Sequence, residues 1–425
     1  MSDPRQAGRT ATARWPASEP PTGVADRRTG IPRWVGVVWA LLLINTLGTQ
    51  GAQMLLPIPR PVTQLITLGA LLAAFGLALL LNPRVRVRPG AYLLLLSLLA
   101  VVSIASSMWL ASGAGSLYRC FRLSLFVLTL WLLSGWWRGG LHFARYHLYV
   151  LSTVLLTVLA GLVIAPGSAF SGPGGRLVGV IWPIPAPQVG QYCAVATGLA
   201  TLLWLTRKID GRSAAVISVP AVVLLLLSHT RTALLGLVAA LAVAGLSLAF
   251  ANARARRALA TAVGLGTLIA VAFGGVIMTW LRRGQDAEEL ADLTGRQKVW
   301  NALLAEERSV GEQLLGVGLT DKSFGGLPID NSWLSIYHEQ GWVGIAIVVT
   351  IFGVLITTAA LRPPSPARAC AVFLIFYCLV ASYTEAGLGD ASPYLLHLAV
   401  ATSLLVHGTG TRPESGAPES RGTAG

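Results

Sequence analysis

WVGIAIVVTIFGVLITTAAL, residues Trp342 to Leu361, is a run of 20 residues without a single charge, closed on its far side by Arg362. A helix needs about 20 mostly apolar residues to cross the hydrocarbon core of a bilayer. This stretch therefore reads as a transmembrane helix, and the question becomes how many more there are. Working outward from it, similar runs begin near Val35, Val62, Ala91, Leu117, Tyr146, Val189, Ala214, Thr232, Leu259, Ala369 and Ala391. With the run at Trp342 they predict an all-α polytopic membrane protein of about twelve transmembrane helices.

Composition agrees. Of 425 residues, 54% are hydrophobic and 12% charged, where a soluble protein carries about a quarter charged residues. The net charge of +14 would suggest nucleic acid if the basic residues formed one patch. They fall instead in short clusters between the apolar runs, which points to topology, with no nucleic acid expected. The N-terminal tail, Arg84/Arg86/Arg88, Arg138/Arg145, Arg207/Lys208/Arg212, Arg254/Arg256/Arg257, Arg362/Arg368 and the C-terminal tail hold 21 of the 32 basic residues. They alternate with linkers almost free of Lys and Arg. By the positive-inside rule both termini are cytoplasmic and the chain sits, multi-pass, in the cell inner (cytoplasmic) membrane. Residues 1–32 and 409–425 read as disordered tails. The first helices fill 33–281, and the last three 341–408. Cys120, Cys193, Cys370 and Cys378 all lie in apolar runs with no metal-ligand spacing, so neither a disulfide nor a metal is expected.

Residues 282–340 are the longest polar stretch and fall on the extracytoplasmic side, with ten of the eighteen acidic residues. A loop of this length is uncommon unless it has a function. Thr294 followed by Gln297 is a capping-box pattern, and Trp300, Leu303 and Leu304 mark the apolar face of the helix that follows. A shorter outer loop, Pro166 to Pro187, is rich in Gly and Pro and carries Arg176.

Several basic residues have no topological explanation. Arg119 and Arg122 share one face of the fourth span, either as an intramembrane site or as side chains snorkelling to the outer interface. Arg231 sits in the polar turn Ser228-His-Thr-Arg-Thr232, either as an interfacial anchor or as a functional cation. Arg296, in the first turn of the expected helix, joins backbone N–H groups in an arrangement suited to phosphate, with Lys298 nearby. The alternative is a solvated helix on the membrane surface. Asp330, followed by Asn331 before the tenth span, is a helix cap or a general base. His338 and Glu339 are second choices for the base.

Four segments together resemble the O-antigen ligase and polymerase family of bacterial membrane glycosyltransferases. They are Arg176-Leu-Val-Gly-Val with Pro187-Gln-Val-Gly190-Gln; Ser228-His-Thr-Arg231-Thr-Ala; Thr294-Gly295-Arg296-Gln-Lys-Val-Trp300 with Gly316-Val-Gly318; and Asp330-Asn331-Ser-Trp-Leu334 running to Gly344. The resemblance covers roughly residues 164–380. It implies that arginines on the outer face hold the diphosphate of a polyprenyl-linked glycan donor while a hydroxyl of a glycan or lipid acceptor attacks the anomeric carbon. Arg231 and Arg296 take the clamp role; Arg176, Arg119, Arg122, Lys298 and Asn331 are the further candidates for substrate binding. No cofactor is implied. Asp330 stands where the family's ligases place a histidine, which favours polymerisation or transfer of an envelope glycan over attachment to lipid A. The rival function is a transporter of lipid-linked oligosaccharide or another solute. That rival predicts inverted repeats and interrupted helices.

Overall fold

The computed structural model describes residues 31–48, 54–109, 113–171, 175–250, 252–282, 296–320 and 322–406. The expected cap at Thr294 and nearly all of both expected tails lie outside the described residues. Each of the twelve apolar runs is helical: α1 (Arg33–Asn45), α2 (Arg60–Leu81), α3 (Ala91–Trp109), α4 (Ala114–Ser134), α5 (His142–Ile164), α7 (Ala186–Leu205), α8 (Gly211–Leu227), α9 (Arg231–Ala249), α10 (Ala253–Arg282), α13 (Ser332–Ala360), α14 (Pro366–Ala381) and α15 (Pro393–Leu405). One-turn α6 (Pro166–Ala169) leads into a hairpin of β1 (Phe170–Ser171) and β2 (Arg176–Leu177). Between α10 and α13 come α11 (Arg296–Ala305), α12 (Val310–Leu315) and a second hairpin, β3 (Ser323–Phe324) with β4 (Leu327–Pro328).

Among the described residues, six of the helices, α2, α3, α4, α5, α9 and α13, are long and apolar enough to cross a membrane. Helix α10, bent by 57° between its halves, makes a seventh if both halves belong to one span. The others are shorter or more polar than the even run of spans read from the sequence: α1 and α15 have 13 residues, α14 has 16 and α8 has 17. Their ends are set by local chemistry. Ser365 and Ser392 cap α14 and α15 through the N–H groups of Arg368 and Leu395, and a proline opens each helix. The chain between those two helices, 382–392, is thereby kept out of either one.

Helices α7 and α15 are buried almost all round and form the centre of the bundle. Gly198 of α7 lies against the Phe373 ring of α14 so closely that a Cβ there would collide with it, the close approach that small residues give to helices in lipid. Outer faces are apolar and open: Leu80 of α2 is 79% exposed and Val271 of α10 80%. Some polar groups in the interior pair across helices. Trp39 Nε1 donates to His147 Nδ1 at 3.1 Å, and His147 Nε2 lies 2.7 Å from His397 Nδ1.

Helix α13 is broken at Gly341, whose φ of 64° and ψ of −165° suit a residue without a side chain. The break frees the carbonyls of His338 and Glu339, which accept from the N–H groups of Val317 (2.8 Å) and Gly318 (3.1 Å). A Cβ on Gly316 would lie 2.3 Å from the Gln340 nitrogen. The Gly316-Val-Gly318 pair is thus a docking strip that ties the 296–331 segment onto the first turns of α13. The apolar run beginning at Trp342 is what remains of that helix beyond the break.

Candidate functional site

Four segments far apart in sequence meet at one end of the bundle. The first is the β1–β2 hairpin. Arg176 at its end donates from Nε to the Ser228 carbonyl (3.3 Å) and from Nη2 to Thr230 Oγ1 (3.4 Å). The second is the α8–α9 turn, which is shaped by its own hydroxyls. Ser228 Oγ donates to the Leu225 carbonyl at 2.7 Å and Thr230 Oγ1 to the Ala186 carbonyl at 3.1 Å. His229 takes a left-handed φ of 49° and stacks on Trp280 at 5.5 Å. The Ser, His and Thr of this turn are used in building it, and they deliver Arg231 to the first position of α9.

The third segment is α11, which begins at Arg296. Val299, Trp300 and Leu303 are buried against Ile329, and the Trp300 ring meets Tyr383 edge-on at 5.7 Å. Leu304, expected on this face, is instead 60% exposed, and Val299 takes its place. This anchoring holds one face of α11 against Ile329 and Tyr383. Lys298 is exposed on the outside of α11.

The fourth segment is the start of α13. Here Asn331, not Asp330, is the cap: its Oδ1 accepts from the N–H groups of Trp333 (2.9 Å) and Leu334 (3.1 Å). Asp330 is therefore released from the backbone, and its Oδ2 accepts from Arg296 Nε at 3.1 Å. The side chains of this pair are 25% and 37% exposed, open enough for a ligand to reach.

A residue not singled out in the sequence completes the group. Glu385, in the turn between α14 and α15, acts electrostatically on Arg176 and is acted on by Arg296, Asp330 and Arg176. The Glu385 carbonyl accepts from Ser332 Oγ at 2.7 Å, which fixes the turn against α13. Burial pushes the Glu385 carboxyl up to about 7, with Asp330 adding to the rise and Arg296 and Arg176 opposing it. Burial also pulls Arg176 below the ordinary arginine range, with Arg296 and Arg231 pressing the same way against Glu385 and Asp330. Arg231 in turn lies within electrostatic reach of Arg296. Arg176 and Arg296 therefore face two carboxylates, one of which is partly protonated at neutral pH, and Arg231 stands within electrostatic reach of both arginines. The cluster carries excess positive charge in a partly desolvated place, which is a setting that stabilises an entering anion.

Arg119 and Arg122 belong elsewhere. Arg119 donates from Nη1 to Glu339 Oε1 (2.7 Å) and from Nη2 to Asp390 Oδ2 (2.7 Å), and Lys322 Nζ stands 3.7 Å from the same Asp390 oxygen. Thr320 N–H also donates to Glu339 Oε1 at 3.0 Å. Burial raises the Asp390 carboxyl, but Arg119, Lys322 and Arg122 outweigh it and hold the group well below the usual carboxylate range. Arg122 donates from Nη2 to the carbonyl and Oδ1 of Asn45 at 2.8 and 3.2 Å. His338, through Nδ1, is 2.7 Å from Arg308 Nη2. The two second-choice bases are thus both occupied by arginines.

No family model and no curated protein matches this chain.

Proposed function

We propose that the protein is a membrane glycosyltransferase of the O-antigen ligase and polymerase type, moving a polyprenyl-diphosphate-linked glycan onto an acceptor hydroxyl. The observation that carries this reading is the meeting of Arg176, Arg231, Arg296 and Asp330. Each of the four resembling segments supplies one of them, and they come from parts of the chain up to about 150 residues apart, far beyond what local helix geometry brings together. In this reading all twelve apolar helices cross the inner membrane, both termini are cytoplasmic, and the 282–340 segment is the extracytoplasmic loop.

The chemistry follows from charge. The acceptor oxygen attacks the anomeric carbon, and the bond from that carbon to the diphosphate oxygen breaks, its electron pair leaving with the diphosphate. The three guanidiniums neutralise the growing negative charge, the larger part of such catalysis when donors are fixed in advance. The hydroxyl proton passes to a carboxylate of the Asp330 and Glu385 pair. Glu385 has a proton affinity set near neutrality, where a general base works best. The donor enters from the bilayer between helices, and the glycan acceptor reaches the half-exposed Arg296 and Asp330 from the aqueous side.

The test is complementation of a strain lacking the gene with Arg231→Ala, Arg296→Ala and Asp330→Asn, at matched membrane levels, following surface polymer and lipid-linked precursor. Loss of polymer with precursor on the outer leaflet is expected. Normal polymer in all three variants would refute the site. Precursor held on the cytoplasmic leaflet would replace the transferase with the transporter, for which the broken α13 and bent α10 are the structural argument.

A further inference from the structure

At the far end of the bundle, the loop after α2 closes a second basic site. Helix α4 begins beside the Leu319 carbonyl, to which Ser116 donates, and runs away from the segment that carries Arg296 and Asp330. Its 21 residues span about 30 Å, the thickness of a hydrocarbon core, so its C-terminus reaches the opposite boundary. A pocket of about 380 Å³ opens there, between the ends of α2 and α4. Arg84, Arg86 and Arg138 line it together with Trp136, Asn82 and Leu81.

The loop is built to present those arginines. Asn82 clamps it from within: its Nδ2 donates to the Arg86 carbonyl (2.8 Å) and to the Leu132 carbonyl of α4 (3.1 Å), while its Oδ1 accepts from Arg86 N–H (2.8 Å). Gly135 lets the strand approach, since a Cβ there would come within 2.5 Å of the Arg86 oxygen. Val85 is held at φ 44°, a left-handed conformation that a β-branched residue adopts only when its surroundings force it. Such strain concentrates where a loop has a task. Here it places Arg84 and Arg86, which flank Val85, along one pocket wall, with Arg138 completing it from the chain after α4.

We propose that this pocket binds the phosphate-bearing headgroup of an anionic membrane lipid. Three arginines around one pocket match a phosphate, and Arg is the side chain best shaped to hold one. The site lies at a helix end where Trp136 provides the amphipathic ring that settles at headgroup level. Its apolar edge continues along α2, where Leu80 is 79% exposed and Leu79 39%, a surface along which acyl chains can lie. Basic pockets between helix ends hold such headgroups in other membrane proteins. A soluble phosphate would use the same guanidiniums but gain nothing from the apolar edge.

The full chain in zwitterionic nanodiscs is titrated with phosphatidylglycerol, and bound lipid is counted by native mass spectrometry after gentle release. Wild type is expected to prefer phosphatidylglycerol over phosphatidylcholine at least tenfold. R84A/R86A/R138A should lose that preference, and R212A/R256A/R257A, which removes equal charge from exposed positions at the same end, should keep it. Should the triple variant unfold, R84Q and R138Q are measured singly, and each should lower the preference severalfold. Equal lipid preference in wild type and pocket variants would overturn the proposal. So would inorganic phosphate displacing the lipid fully at equimolar concentration, which would make the site one for a soluble anion.

Discussion

Removing Arg119 should unbalance the most deeply buried charges in the molecule. Its guanidinium bridges Glu339, 1% exposed, and Asp390, 9% exposed at the side chain, each at 2.7 Å. With Arg119→Ala, Asp390 keeps Lys322 at 3.7 Å, the Ala391 N–H and the electrostatic pull of Arg122, and Glu339 keeps the Thr320 donors and the pull of Lys322. Two carboxylates are then left facing each other in a site built for a cation. Stripping one partner from a buried pair costs about 3–5 kcal/mol, because the remaining charge stays desolvated. Two partners are orphaned here, partly compensated by Lys322, which keeps the expected loss within that range. Unfolding by SDS titration from mixed micelles, followed by circular dichroism, measures it. Adding Glu339→Gln and Asp390→Asn to Arg119→Ala should recover part of the loss, since both buried carboxylate charges are then gone and only Lys322 is left without its partner. Because Arg119 and its neighbours hold Asp390 well below the ordinary carboxylate range, its contribution to wild-type stability should be fully present above that range and be lost as pH falls through the lowered folded value. A loss below about 1 kcal/mol, or no recovery in the triple variant, would mean the cluster is solvated and the reasoning wrong.

Glu385 gives a pH prediction of opposite sign. Its folded proton affinity, near 7 against an ordinary 4.5, means the native state holds a proton that the unfolded chain has released between those values. Stability should therefore fall as pH rises from about 4.5 through about 7 and level off above, and Glu385→Gln should flatten that slope in melts run at pH 5 and pH 8. Asn331 and Asp330 separate structure from chemistry at adjacent positions. Asn331→Ala should cost about 1 kcal/mol through loss of the α13 cap, with Asn331→Asp retaining it. Asp330→Asn should change the melting point little, since its ion pair is half exposed, yet abolish glycan transfer in the complementation assay. An Asp330→Asn protein as unstable as Asn331→Ala would return Asp330 to a structural role.

The helices were legible because the bilayer leaves the backbone little choice: an uncharged run such as Val62 to Leu81 has no other way to satisfy its peptide groups in lipid. Where helices stop was less legible, because hydropathy does not register a serine cap or a buried turn. The run starting near Ala391 hides Ser392 and Pro393, so α15 begins later and is shorter than the pattern suggests. Arg231 and Arg296 could be singled out because a cation outside the cytoplasmic clusters needs a reason to be there. Glu385 could not. A lone glutamate after an apolar run looks like a loop residue, and only the packing of Ser332 on the 385 carbonyl brings it to the arginines. The cap at α13 fell one residue from where Asp330 suggested it, since Asn and Asp serve almost equally as caps and sequence cannot rank adjacent candidates.

The two ionic clusters divide by exposure, and that division argues for separate roles. Around Arg119 both carboxylates are held in direct, deeply buried ion pairs, and the cluster ties the chain at Thr320 and Lys322 to α4 and α13. A closed group of this kind has little to offer a ligand and much to lose on disruption. Around Arg296 three cations meet two anions, one of them tuned to shed its charge near neutrality, and the Arg296–Asp330 pair remains partly open. That imbalance is unfavourable by itself, because like guanidiniums held near one another repel in a desolvated site. An anion carrying two charges would remove it. The first cluster holds the 317–330 chain, and therefore Asp330, at a fixed place beside the second. Loosening Arg119 should thus weaken diphosphate capture without touching a single residue of the clamp.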